Sequence, residues 1–165
     1  KKKERPYLGF DKIIQATTLI ELNATLSQWP YIFKFEKNFN CEGNIKIIYG
    51  YSNSAPFFNQ SRNLFFLDNN SNVTIEEVVF NLGSPNAVFN LVSEIICLPN
   101  VSLDFYAIQN DKTNSSFINS FFLTQKKNSN VNFNFFTLDG KLIRNNLCVH
   151  LMEEGGGVIL QGPPF

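Results

Sequence analysis

The chain has 165 residues, 44% hydrophobic and 17% charged, with 14 basic and 14 acidic side chains that cancel to a formal charge of zero. That balance excludes a disordered chain, and it provides no electrostatic attraction to nucleic acid or an anionic membrane. No apolar run approaches the ~20 residues that a membrane-spanning helix needs.

The basic start, "KKKER", is read as a solvated terminus. It is not followed by the apolar stretch of a secretory leader, and the chain does not begin with Met, so it reads as a piece of a longer protein. Residues 10–28, "FDKIIQATTLIELNATLSQ", read as the one convincing helix. Phe10, Ile13, Ile14, Thr17, Leu22 and Leu26 follow a three-to-four spacing, and Asp11 sits where a carboxylate suits the helix dipole. Trp29-Pro30 ends it, because proline disfavours a helical residue before it.

From Tyr31 the period changes to two. "YIFKF", "NIKIIYGY", "NLFFLD", "NVTIEEVVF", "EIICL", "NVSLDFYAI", "SFFL", "NVNFNFF" and "NLCVHL" are short, β-branched or aromatic, and bounded by turn residues. In "NVNFNFF", Val131, Phe133 and Phe135 fall on one strand face, and Asn132 and Asn134 on the other.

The strands also repeat. A turn rich in Asn or Gly leads into a β-branched anchor at Ile45, Val73, Val101, Val131 and Val158, with spacings of 28, 28, 30 and 27 residues. A period of this length is the signature of a solenoid, in which each repeat supplies about two strands and stacks its Phe and Val on those of the next. The competing architecture is an antiparallel sandwich or barrel. It is favoured by Asp139-Gly140, a strong hairpin signal between two apolar runs. The division expected is a helical lead-in over residues 1–30 and a β core over 31–165. That core is all-β after the short helix and, if it is a solenoid, is expected to be incomplete at its C-terminal end. An uncapped coil of that kind is expected to leave the piece alone poorly stable or self-associating.

Cys41, Cys97 and Cys148 are three and far apart, which fits a reducing compartment better than a disulfide framework. Six Asn-x-Ser/Thr sequons, at Asn23, Asn59, Asn69, Asn72, Asn100 and Asn114, are discounted because Asn is so abundant.

The run "AIQNDKTNSSFINSFFLTQKKNSNVNFNFFTLDGKLIRNNLCVHLMEEGGGVILQG", residues 107–162, resembles the SufB/SufD family of iron–sulfur cluster assembly proteins, most nearly its SufD branch of the Bacteroidetes type. The shared order is an "IQN" strand end, a strand closing in Gln, a "KNS" turn, alternating aromatics, "GKLIRNNL" and an acidic Gly-rich turn. "RNLFFLDNNSNVTIEE" and "LNATLSQWPYIFKFEKNF" extend the likeness upstream. The resemblance implies a right-handed parallel β-helix in a cytoplasmic scaffold subunit. It implies partners too: a SufB-like subunit, and a SufC-like ATPase docked through regions absent here. The family's work is to support complex formation and iron delivery while the parent complex assembles the cluster. Family residues tied to cluster building fall in a later region, so none is carried onto this sequence. Thr124 stands where the family often has His, Trp29 stands near a common Gly turn, and the closing "GPPF" departs from the usual continuation.

Read for chemistry, the chain is sparse. His150 is its single histidine, two residues from Cys148, so both point to one strand face. Two soft ligands fall short of the four usual in a structural metal site, and the pair is read as packing. Cys41 and Cys97 read as small buried hydrophobes. Glu153-Glu154 before Gly155-Gly156-Gly157 lack the Lys-Ser/Thr and the helix of a phosphate loop, and read as a solvated corner. Glu76 and Glu77 face opposite ways and cannot act as an acid pair. Arg144 and Arg62 are each expected to order a corner. No residue is assigned a catalytic, cofactor-binding or metal-binding role, and no enzyme activity, cofactor, nucleic acid or membrane is expected. The alternative is a secreted β-helix or sandwich that binds or cleaves carbohydrate, which needs clustered acids on one face.

Overall fold

The computed structural model describes residues 18–27, 30–52, 55–83, 86–111 and 113–162. One helix, α1 (Thr18–Leu26), precedes ten strands: β1 (Tyr31–Phe35), β2 (Asn40–Tyr51), β3 (Phe58–Leu67), β4 (Asn72–Asn81), β5 (Val88–Cys97), β6 (Ser102–Asp111), β7 (Ser116–Gln125), β8 (Asn130–Thr137), β9 (Leu142–Leu151) and β10 (Gly157–Gln161). The residues expected to begin the helix, Phe10, Asp11, Ile13, Ile14 and Thr17, lie outside the described set, as do Trp29 and the closing residues 163–165.

Odd strands form one sheet, in the order β1-β3-β5-β7-β9. Even strands form the other, in the order β10-β8-β6-β4-β2, and every neighbouring pair runs parallel. The chain alternates between the sheets, so each odd–even pair makes one coil of a parallel β-solenoid of about four turns. The antiparallel sandwich is thereby ruled out. Asp139-Gly140 is no hairpin: it lies in the arc from β8 to β9, where Lys141 N donates to Ser115 O across the coil boundary (2.8 Å). Asn86 and Asn114, in the preceding arcs of the same kind, have positive φ (60° and 59°), as does Gly140 (150°). A left-handed corner residue that joins two sheets looks, in sequence, like one that reverses a hairpin.

Parallel in-register pairing stacks each side chain on its counterpart one coil away. One interior row is Ile45–Ile75–Phe105–Phe133–Leu160, and another is Val73–Leu103–Val131–Val158. The repeat length expected from sequence holds, but two of the five anchors do not belong to the row. Ile45 pairs with Ile75, not Val73, and Val101 is buried one residue before β6, where Val73 pairs with Leu103. Both slips are of two residues, which alternation cannot detect because the same face is presented. Phe105 stacks on Phe133 at 4.9 Å between ring centroids, and Phe33 stacks on Phe65 at the same distance. A buried Phe of this kind contributes about 2–3 kcal/mol.

The first halves of β3, β5, β7 and β9 escape the strand reading because their alternation is blurred by polar residues. Of these, Gln60 and Asn90 bond to each other (2.8 Å), and Asn90 Nδ2 also donates to Leu19 O of α1 (2.8 Å). Asn23 of α1 is fully buried, and its Nδ2 donates to Ser61 O and Asn90 O, both at 2.9 Å. The helix is thus fastened to β3 and β5 by amides, while Ile20 packs on Val92 and Phe122. Asn23 has no room for a glycan in the folded chain. Among the described residues no helix is long and apolar enough to cross a membrane.

The corners from odd to even strands are held by asparagine. Asn38, Asn70, Asn100 and Asn128 all adopt φ between 57° and 62°. Each amide donates to the one before it: Asn70 to Asn38 (2.9 Å), Asn100 to Asn70 (3.0 Å) and Asn128 to Asn100 (3.3 Å). Asn tolerates the left-handed region better than other residues with a Cβ, and its side chain can both donate and accept along the stack. Gly155 (φ 76°) takes the next corner, and a Cβ there would collide with the Asn128 side chain. From this arrangement, Asn100→Ala should cost about 2 kcal/mol, by forcing a Cβ without amide compensation into positive φ and by breaking the ladder. Asn100→Gly should cost about 1 kcal/mol or less, because only the ladder is lost. Urea unfolding of both variants measures the gap, and equal losses would show that backbone conformation does not govern this corner.

Candidate functional site

Each sequence-level candidate has a definite place on the coils. Cys148 and His150 share the outer face of β9, half-buried, with Sγ and Nε2 3.4 Å apart. Their neighbours across to β7 are Phe122 and Thr124, neither a metal ligand of the soft kind. Cys97 is buried in the main core, where burial pushes its thiol well above the ordinary range, and Cys41 lies on β2 at the other end of the stack. Among the described residues no three His, Cys, Asp or Glu side chains gather as a metal site.

Glu153 accepts a hydrogen bond from Lys127 N (3.1 Å) and pairs with Lys126 (3.4 Å), both partners being well exposed. Gly155, Gly156 and Gly157 run straight into β10, so no helix N-terminus faces this turn. The corner is a solvated one, as its composition indicates. Arg144 and Arg62, expected at corners, both lie within strands. Arg144 bonds Asn146 Oδ1 (3.0 Å) on β9, and Arg62 of β3 forms a buried ion pair with Glu94 of β5 (Nε to Oε1, 2.9 Å). Their partners lie on the same or the adjacent strand, a relation that only the coil register reveals.

Glu76 and Glu77 do face apart. Glu76 is on the outer surface, where hydrogen bonds from Lys46 (2.9 Å) and Asn44 (2.7 Å) hold its carboxyl below the ordinary range. Glu77 is inside. It occupies the inward phase Val73–Ile75–Glu77–Val79, fully buried, and accepts from Asn63 Nδ2 (2.7 Å) and Ser93 Oγ (3.3 Å). Desolvation dominates over these bonds and pushes the carboxyl from 4.5 up to about 7. Among the described residues no Lys or Arg pairs with it. The Tyr49 and Tyr51 hydroxyls of β2 lie near enough to sense its charge, and burial raises both.

Glu77 belongs to an interior polar group that sequence reading did not single out. Besides Asn63, Ser93 and the two tyrosines, it includes Gln109 and Asn119, joined by a 3.1 Å hydrogen bond. Asn119 continues to Asn145 (2.8 Å), and Asn145 to Thr137 (3.3 Å). The signal was present, since a carboxylate in the inward phase of an otherwise apolar strand must be buried. The other members sit where alternation is weak, and only stacking shows that they meet. Such a set can hold a proton or bind small polar guests.

The pH dependence follows from the sign of the Glu77 shift. The protonated form is favoured by folding, so its contribution is complete below 4.5 and lost as pH rises through about 7. The loss amounts to about 3 kcal/mol. Glu77→Gln keeps the shape without the charge. Relative to the unchanged chain it should gain most of that amount between pH 4.5 and pH 8, read by denaturant unfolding at both values. A constant difference between the two proteins across that range would contradict the assignment.

A family model described as "SUF system FeS cluster assembly, SufBD core domain" matches residues 50–163. No curated protein and no solved structure matches the chain. The matched span runs from the end of β2 past β10, and so covers most of the solenoid and its polar interior.

Proposed function

Because the chain belongs to the SufBD core family of the SUF system for iron–sulfur cluster assembly, we propose that it serves that system as a non-enzymatic scaffold subunit of the SufD kind. The observation that carries this reading is the coincidence of the family match with the stacked coils. Over residues 50–163 the inward side chains are spent on rows such as Phe105–Phe133 and the outward asparagines on ladders, and these are features of an architectural part. The motif order quoted from residues 107–162 supports the SufD branch over the family at large.

In this reading the cluster is cargo of the complex, and this chain contributes rigidity and surface. Its partners are a SufB-like subunit and a SufC-like ATPase, and its role is to hold the complex together and support iron delivery. The compartment is the cytoplasm, in keeping with three free cysteines that form no framework. The secreted carbohydrate-active alternative has no support from the acids: Glu76 and Glu77 are on opposite sides of a sheet, and Glu77 is sealed from any polysaccharide.

The test is affinity purification of the full-length parent protein from cells that also produce its SufB-like and SufC-like counterparts. Stoichiometric recovery of both is the expected outcome, and recovery of neither would overturn the reading.

A further inference from the structure

Among the buried polar atoms left without a protein partner, two converge on one cavity in the solenoid. Asn63, Glu77 and Ser93 form one bonded group, and Gln109, Asn119, Asn145 and Thr137 form a second. Between them lies a cavity lined by Glu77, Val79, Leu91, Ala107, Gln109 and Asn119, which reaches Thr137 and Asn145 at an exposed end. Its origin is a single small residue. The interior row there reads Ile47–Glu77–Ala107–Phe135, so a methyl group stands beside the carboxyl where its neighbours are large.

Two polar atoms at this cavity lack a protein partner: Gln109 Nε2 and Asn119 Oδ1, on side chains only 4% and 7% exposed. Gln109 Oε1 accepts from Asn119 Nδ2, and with the amides in this orientation the spare Gln109 atom is a donor and the spare Asn119 atom an acceptor. A bare cation would be repelled by the Gln109 N–H, and an anion by Asn119 Oδ1 and Glu77. Water both donates and accepts, and it is the usual occupant where buried polar atoms converge on a space of this kind.

We propose that this cavity is a site for ordered water, and that the water links Gln109 and Asn119 to the Glu77 carboxyl and to the exposed Asn145 and Thr137. Glu77 then exchanges its proton with solvent while the coils stay stacked. Among the described residues the groups that face it are Tyr49 and Tyr51 from β2, Asn63 from β3, Ser93 from β5 and Ala107 from β6, none of them a cation that would compete for the carboxylate.

Two measurements on the intact chain test this site. Water-oxygen magnetic relaxation dispersion detects long-lived internal water. Its amplitude should fall in Ala107→Leu, which fills the cavity, and the Glu77 titration midpoint should rise in the same variant as the carboxylate loses hydration. A high-resolution crystal structure of the unchanged chain should show water density bridging Gln109 Nε2 and Asn119 Oδ1, and it decides the matter even if Ala107→Leu does not fold. Unchanged dispersion in a folded Ala107→Leu variant, or a crystal in which Gln109 bonds Glu77 directly with no water density, would overturn the proposal.

Discussion

The structure depends on the in-register parallel ladder between coils. Once the backbone of one coil bonds to the next, every side chain is committed to a neighbour at the same level, one repeat away. Apolar residues therefore gather in rows, and a polar residue placed inside must find its partner along or across those rows or remain unmet. The phenylalanine stacks, the asparagine corners and the Glu77 group are three results of that one commitment. It also explains why the chain tolerates repeats of unequal length. Pairing offsets along the even sheet fall from 30 through 28 to 27 residues as the corners change length, and an offset of 32 at Asn40–Asn72 is taken up by a bulge within β2.

Much of this was legible beforehand. The change from helical to strand period at Tyr31, the repeat near 28–30 residues and the inward set Val131, Phe133 and Phe135 all follow from alternation and turn composition. Register was not legible, because a slip of two residues leaves the hydrophobic face unchanged, and Ile45 and Val101 were aligned wrongly for that reason. Asp139-Gly140 misleads because left-handed backbone is required equally by a hairpin and by a solenoid corner. Asn134, read onto the face opposite Phe133, is nonetheless buried, its amide reaching Phe105 O at 3.4 Å. The local sequence cannot show such cover, since it comes from a strand 28 residues away.

For function, legibility was uneven in the opposite sense. Ordered motif likeness led to the family before any coordinate did, and the match over residues 50–163 agrees with it. The residues that attract chemical attention in sequence, Cys148 with His150 and the Glu153–Glu154 turn, lie on the outer face of a strand and at an exposed corner. The residue with the most unusual environment, Glu77, looks unremarkable beside Glu76 until burial separates them. A solenoid of this type keeps its polarity on the inside as well as the outside, so surface inspection alone misses part of its character.

The amides that fasten α1 have a consequence for biosynthesis. Asn23 bonds to the carbonyl of Asn90, 67 residues further along, and Asn90 reaches back to Leu19. The helix therefore leaves the ribosome long before its berth exists, and it can settle only after β5 has been translated and laid against β3. Until then Ile20 lacks the Val92 and Phe122 side chains it packs on, so the first element made is among the last to be seated.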